Sequence, residues 1–327
     1  MQVEFFNHLK QSLPAHLSLV DAVADILNIS TDSAYRRIRG DKPLGFDEIQ
    51  KLAIHFKVSL DQFLHLRGNS ITFFGAHISR DQFDLKSYLQ NIVNQLQYFS
   101  SAQRQELFYL NKDIPIFHHF AFPELAAFKC YFWSRYNLNY AQFNKGPFVI
   151  DDFIPLVENA GKEICSLYLN IPSTEIWNVD CINTTIRQIN FYKESKLFRS
   201  HEDLTAVLHC LEKLIDHIEQ QAAAGKKFLY GSPQQPGARY SVFINQFLLG
   251  DNTIAVELDH ERMVFLNHNV INYVQTRDPA FVEYTFQTLQ TLVKKSTLIS
   301  EVGERERENF FDALRERIHT TKLLALS

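Results

Sequence analysis

The sequence predicts a protein that is mainly α, with an all-α N-terminal domain and an α+β C-terminal domain carrying a small antiparallel sheet. Three observations lead there. Apolar residues recur at helical spacing through most of the chain. The first 68 residues break into short helices punctuated by capping residues, Gly and Pro. Between 240 and 275 the period changes and Val, Ile, Phe and Leu gather in short runs, as strands require. A chain of 327 residues, 46% of them hydrophobic, can build about two domains with full cores. The expected organisation is an N-terminal domain at 1–68, a helical linker at 69–110 and a larger α+β domain at 111–327.

The N-terminal elements follow in order. Val3 to Leu13 reads as a helix with Phe5, Phe6, Leu9 and Leu13 on one face, ended by Pro14. Ser18 and Asp21 form a start resembling a capping box, and Val20, Val23, Ala24 and Leu27 then recur at helical spacing. After a break at Asn28 and Ile29, Ser30 caps a second short helix carrying Ala34 and Ile38 inward. Two short helices joined by a tight turn with a buried aliphatic residue form a helix-turn-helix. Gly40, Pro43 and Gly45 interrupt the chain; a third helix carries Ile49, Leu52, Ala53 and Phe56 on one face. Ser59 caps a fourth, with Leu60, Phe63 and Leu64 inward.

This run resembles the lambda-repressor/Cro-like, or XRE-type, family of DNA-binding domains. The stretch from Val23 to Ser30 resembles the family's Leu-Ala-x-x-Leu-Gly-Val-Ser; the one from Arg36 to Gly40 is similar to its Arg-Ile-Glu-x-Gly; that from Val58 to Asp61 matches its closing Val-Ser-Leu-Asp. Asn28 stands where the family has a turn glycine, a replacement that Asn's tolerance of the left-handed conformation allows. Ile38 stands where the family usually has a glutamate. The resemblance implies a helix-turn-helix transcriptional regulator bound to double-stranded DNA.

In such a unit the second helix enters the major groove with its first residues nearest the base edges. Thr31, Asp32, Tyr35, Arg36 and Arg39 are expected opposite Ala34 and Ile38. Arg36 is the candidate for a bidentate guanine contact, and Thr31 and Ser33 can donate or accept at bases or phosphates. Arg37, Arg39 and Lys42 are expected to hold phosphates and set register. Asp32 can accept from a cytosine amine or simply favour the helix N-terminus. The alternative is a helix-turn-helix used for protein contacts, its arginines ordinary surface residues.

Composition restricts the rest. The net charge of −4 excludes a polycation that coats nucleic acid. The first 68 residues carry eight Lys and Arg against eight Asp and Glu, so basic character is local to Arg36, Arg37, Arg39 and Lys42. Eleven glycines argue against a glycine-heavy nucleotide fold. Cys130, Cys165, Cys181 and Cys210 lie far apart, as reduced core thiols do, and the expected location is cytoplasmic. No apolar run reaches the roughly 18 residues that span a membrane, and the N-terminus lacks the basic-then-apolar order of a signal peptide.

Leu85, Leu89, Ile92, Leu96 and Phe99 are spaced 4, 3, 4, 3, a heptad seam. It reads either as a dimerisation helix pairing two heads or as a helix with one face on the larger domain. From Asn111 to Asn144 aromatics are dense, and His118-His119 among them reads as packed core or pocket wall rather than a metal site. Helices are expected at 151–159, 173–196 and from Leu204 to Gly225, where the glycine serves as C-cap. His209 and His217 on the last read as structural or solvent-facing. Three strands, 240–249, 253–258 and 262–267, form an antiparallel meander, with 270–275 a possible fourth. Asp278-Pro279 opens a helix with Phe281, Val282, Phe286, Leu289 and Val293 inward. A last helix from Glu304 buries Phe310, Phe311, Leu314 and Ile318.

No Walker loop, nucleophile elbow, His-Glu-x-x-His or dinucleotide fingerprint is present. The expectation is therefore no enzyme, no metal and no cofactor, but a homodimeric regulator whose larger domain senses a small effector. The alternative is a DNA-associated scaffold whose larger domain binds a protein.

Overall fold

The structure is a computed structural model and describes residues 1–11, 13, 18–56, 58, 60, 71–75, 84–137, 146–247, 250–259, 261–269 and 272–326. The chain divides into two compact units, Met1–Thr72 and Phe73–Ser327. Of the sequence expectations, Pro14, the boundary at 67–69 and most of the fourth helix, Ser59, Phe63 and Leu64 included, lie outside the described residues.

The first unit is built from α1 (Gln2–Gln11), α2 (Leu19–Leu27), α3 (Thr31–Ile38) and α4 (Phe46–Phe56). Its core is Phe5, Phe6, Leu9, Val23, Ala24, Leu27, Ala34 and Leu52, with Ile29 and Ile38 partly buried against it. These are the apolar positions that recur at three- and four-residue spacing in the sequence, so periodicity alone locates this core.

The second unit is a seven-stranded sheet with helices on both faces. Its helices are α5 (Leu85–Ser100), α6 (Ile116–His119), α7 (Pro123–Phe132), α8 (Ile150–Leu169), α9 (Asn183–Glu194), α10 (His201–Ala224), α11 (Pro279–Lys294) and α12 (Glu304–Leu326). The strands are β1 (Gln105–Leu110), β2 (Ser173–Trp177), β3 (Tyr240–Ile244), β4 (Thr253–Leu258), β5 (Glu261–Asn269), β6 (Asn272–Thr276) and β7 (Thr297–Leu298), in the order β6-β5-β4-β1-β2-β3-β7. β1, β2 and β3 run parallel, joined by helical crossovers as parallel neighbours require. The remaining pairs are antiparallel.

Alternation along each strand feeds two cores. Leu107, Tyr109, Val256 and Met263 enter a large core shared with α5, α7, α8, α10 and α12. Ile176, Ala255 and Val264 enter a smaller one beneath Val282, Phe286 and Leu289 of α11. β2 is buried along its whole length, as a central parallel strand is. Gly225 caps α10 at φ +60°, as its position in the sequence predicts.

Four expectations are corrected. The sheet is mixed rather than a small antiparallel one: only β4, β5 and β6 form the meander, while β3 leaves it to pair with β2. Residues 173–196 are not one helix, because Ser173–Trp177 is a strand before α9 begins. The stretch 85–110 is no linker: α5 and β1 belong to the large core. The heptad seam lies in that core too, with Leu85, Leu89, Leu96 and Phe99 buried and Ile92 packed against them, so these side chains face their own unit.

The interior of the second unit holds charge. Glu175, fully buried on β2, accepts hydrogen bonds from Trp177 Nε1 (2.8 Å), Tyr240 Oη (2.8 Å) and Tyr168 Oη, with His118 Nε2 3.0 Å away. Burial by itself raises its pKa, but the His118 charge and hydrogen bond, the Tyr168 hydroxyl and the Lys227 charge together hold it down to about 2. Lys227, also buried, donates to the carbonyls of Tyr168 (3.0 Å) and Ile171 (2.7 Å), its Nζ 3.2 Å from the centre of the Tyr168 ring. Among the described residues no helix is long and apolar enough to cross a membrane.

Candidate nucleic-acid interface

The interface is built by caps. Ser18 accepts the amide of Asp21 at 3.4 Å and starts α2. Asn28 ends that helix in the left-handed conformation (φ 53°, ψ 53°), the place where a glycine is expected, and the Ile29 amide closes back on the Ala24 carbonyl at 3.0 Å. Ser30, in extended conformation, accepts the Ser33 amide at 3.3 Å and opens α3. Ile29 packs into the core between the two helices, which fixes how α3 leaves the turn.

Beyond α3 the chain turns at Gly40, whose φ of +84° is strained for residues with a side chain. The amides of Asp41 and Lys42 both return to the Arg36 carbonyl, at 2.8 and 3.2 Å. Gln2 of α1 clamps this loop: its Nε2 donates to the carbonyls of Arg37 and Lys42, both at 2.8 Å, and its Oε1 accepts the Leu44 amide at 3.1 Å. One side chain thus satisfies three backbone groups and ties the N-terminal helix to the end of α3.

Thr31, Asp32, Tyr35, Arg36, Arg39 and Lys42 are exposed, and Ser33 is half-buried, its hydroxyl 3.0 Å from that of Ser30. Among the described residues the Arg36 side chain has no hydrogen-bond or ion-pair partner. Arg39 lies 5.7 Å from the centre of the Tyr35 ring and 3.7 Å from Asp41, both loose surface contacts. α3 therefore presents one unengaged guanidinium, a second that is lightly held, and Lys42 just past its end.

Arg37 is a correction. The sequence places it on phosphates, but it is 5% exposed and points inward. Its Nε and Nη2 meet Glu48 of α4 at 3.0 and 2.6 Å, and its Nη1 donates to the Ser33 carbonyl at 3.1 Å. The Glu48 hydrogen bond raises the Arg37 pKa, and the same bond lowers that of Glu48. Glu48 also accepts the Gly45 amide at 3.2 Å, so one carboxylate both starts α4 and locks α3 to it. Spacing held the clue: Arg37 is three residues from Ala34 and beside Ile38, on the helix face that turns to the core. Gln2 carried no comparable signal, since its partners lie about forty positions away.

Comparison with known proteins bears on this unit. Residues 9–77 match the BetR domain family, which is of helix-turn-helix DNA-binding type. No curated protein and no solved structure matches the chain. The match covers the N-terminal unit from residue 9 on and the first residues after it; it suggests a DNA-binding, regulatory role for this part, without separating an XRE-type member from other helix-turn-helix domains.

Proposed function

We propose that the chain is a sequence-specific transcriptional regulator of the XRE type, acting in the cytoplasm as a homodimer whose larger unit senses a small effector. What carries the reading is Arg36: an exposed guanidinium without a partner among the described residues, on a helix held at both ends, while its neighbour Arg37 serves the fold. A bidentate Arg–guanine contact is the commonest specific pairing in the major groove. Arg39 and Lys42 then take phosphates, and Thr31 lies at the helix start where base edges come nearest. Two heads read a two-fold operator; the surface that pairs them lies outside the seam at 85–99, which is buried within its own unit.

The test is selection of bound sequences from random duplexes, with the wild-type chain and with Arg36→Ala. The wild type enriches a two-fold motif. Arg36→Ala binds it more weakly by roughly 1–3 kcal/mol and loses preference at one base position per half-site. Retention of both affinity and preference would take Arg36 out of the interface, and no enrichment by the wild type at low salt would refute sequence-specific recognition.

A further inference from the structure

We propose that the larger unit binds an aromatic α-amino acid as its zwitterion, at the C-terminal end of β1, with Lys129 and Asp113 taking its two charges. The inference rests on reading this unit as the sensor and names what it senses.

A cavity of about 30 Å³ lies where the chain leaves β1, and Asp113, His119 and Lys129 are in its wall. It shares Asp113 with an adjoining cleft of about 550 Å³, a volume suited to a small organic ligand. The cavity by itself has room for only a few water molecules or one polar head group.

Its polar groups are only partly satisfied by protein. His119 is 3% exposed, and neither ring nitrogen has a hydrogen-bond partner. Burial holds it neutral and the Lys129 charge pushes the same way; the backbone at Pro115 and Ile116 pulls weakly against them at geometry short of a hydrogen bond. Lys129, also 3% exposed, donates to Thr185 Oγ1 at 3.1 Å and Gln188 Oε1 at 2.7 Å, which uses two of its three N–H groups. No carboxylate among the described residues lies within ion-pair distance of it. Asp113 is fixed by its own amide, which donates to Asn252 Oδ1 at 3.2 Å, while its buried Oδ1 has no partner. An ammonium held by two neutral acceptors and lying 5.6 Å from the Trp133 ring, but with no ion-pair partner among the described residues, thus faces one cavity with a carboxylate oxygen and an imidazole that have no hydrogen bond. Leaving such groups without partners is costly, and a ligand carrying an ammonium and a carboxylate on one carbon satisfies all three. Its carboxylate goes to Lys129 and His119, its ammonium to Asp113.

The cleft supplies the aromatic preference. Tyr136 is 61% exposed and Phe191 43%, and both line it. Tyr136 stacks on Phe132 at 5.2 Å and meets Phe191 edge-on at 5.5 Å, a wall against which a ring can lie. A π-helical turn, Trp133–Asn137, ends α7 here; it puts Trp133 on the cavity and Tyr136 on the cleft. Such turns recur at functional sites.

The experiment is calorimetric titration of the full chain with L-phenylalanine, 3-phenylpropionate (no ammonium), phenethylamine (no carboxylate) and L-alanine (no ring). L-Phenylalanine is expected to bind, and each truncated compound to bind roughly ten-fold or more weakly, the cost of one charge-assisted hydrogen bond or of the ring contact. Asp113→Asn should erase its advantage over 3-phenylpropionate, and Lys129→Met its advantage over phenethylamine. If either variant fails to fold, the compound series on the wild type still decides. No binding of L-phenylalanine, or equal binding of either singly charged analogue, overturns the proposal. Binding that leaves operator affinity unchanged upholds the site and refutes the sensor reading instead.

Discussion

In the N-terminal unit the cationic side chains of α3 stand in solvent, except Arg37, around a core of aliphatic and aromatic residues. In the larger unit Glu175, Lys129 and Lys227 lie inside, each less than 4% exposed. The first arrangement suits a surface that meets a polyanion, because exposed cations keep their hydration until phosphates replace it. The second carries a desolvation cost that only specific partners offset. Charge is thus held inside the larger unit by specific protein partners and is left to solvent on α3 of the head.

The contrast is sharpest at Glu175. Glu175→Gln leaves four donors around a neutral amide, with an expected loss of about 3–5 kcal/mol. The two tryptophans, Trp133 and Trp177, both lie in this unit, so urea unfolding followed by their fluorescence reads it directly. A loss under 1 kcal/mol would show that the cluster is better solvated than its burial indicates. The pH dependence has a definite sign. A carboxyl held at about 2 against an ordinary value of 4.5 contributes stability in full above 4.5, and that contribution is lost as pH falls through 2. The gap between wild type and Glu175→Gln should be flat at neutral pH and close below about 4.5; a gap that persists unchanged towards pH 2 would contradict the assignment.

Arg37 is the head's exception and a smaller effect. Arg37→Met should destabilise this unit by about 1–3 kcal/mol, since Glu48 loses its partner. Hydrogen exchange of the α2, α3 and α4 amides reads that loss apart from DNA contact. Arg36→Ala should leave the same amides untouched, and equal effects of the two substitutions would erase the distinction drawn between them. Lys42→Ala is the mildest: removing one phosphate contact should reduce the salt dependence of DNA binding by about one unit of log–log slope. An unaltered slope would place Lys42 away from the backbone.

Much of the head is legible in the residues themselves. Ser18, Ser30 and Asn28 act through partners three or four positions away, and Val23, Leu27 and Ala34 recur with the helix period. The burial of Arg37 is not legible locally, because its partner Glu48 is eleven positions distant and a charged residue without a known partner reads as exposed. In the larger unit β1 and β2 escaped notice for a related reason. Both are short; β1 buries only Leu107 and Tyr109, and β2, buried along its length, reads Ser-Thr-Glu-Ile-Trp and so lacks the apolar run that would announce a central strand.

The residues alone determined what depends on neighbours along the chain: the caps, the turn at Asn28, the helical faces, the antiparallel pairing of β4 with β5 and the end of α10 at Gly225. The tertiary structure alone decided what depends on partners far apart in sequence. It set the parallel pairing of β1, β2 and β3, turned the seam at 85–99 inward, joined Arg37 to Glu48, and brought Asp113, His119 and Lys129 to one cavity. The physical reason is range: a cap or a helical face is stabilised within one or two turns, whereas a buried charge is stable only where the whole fold delivers its partners.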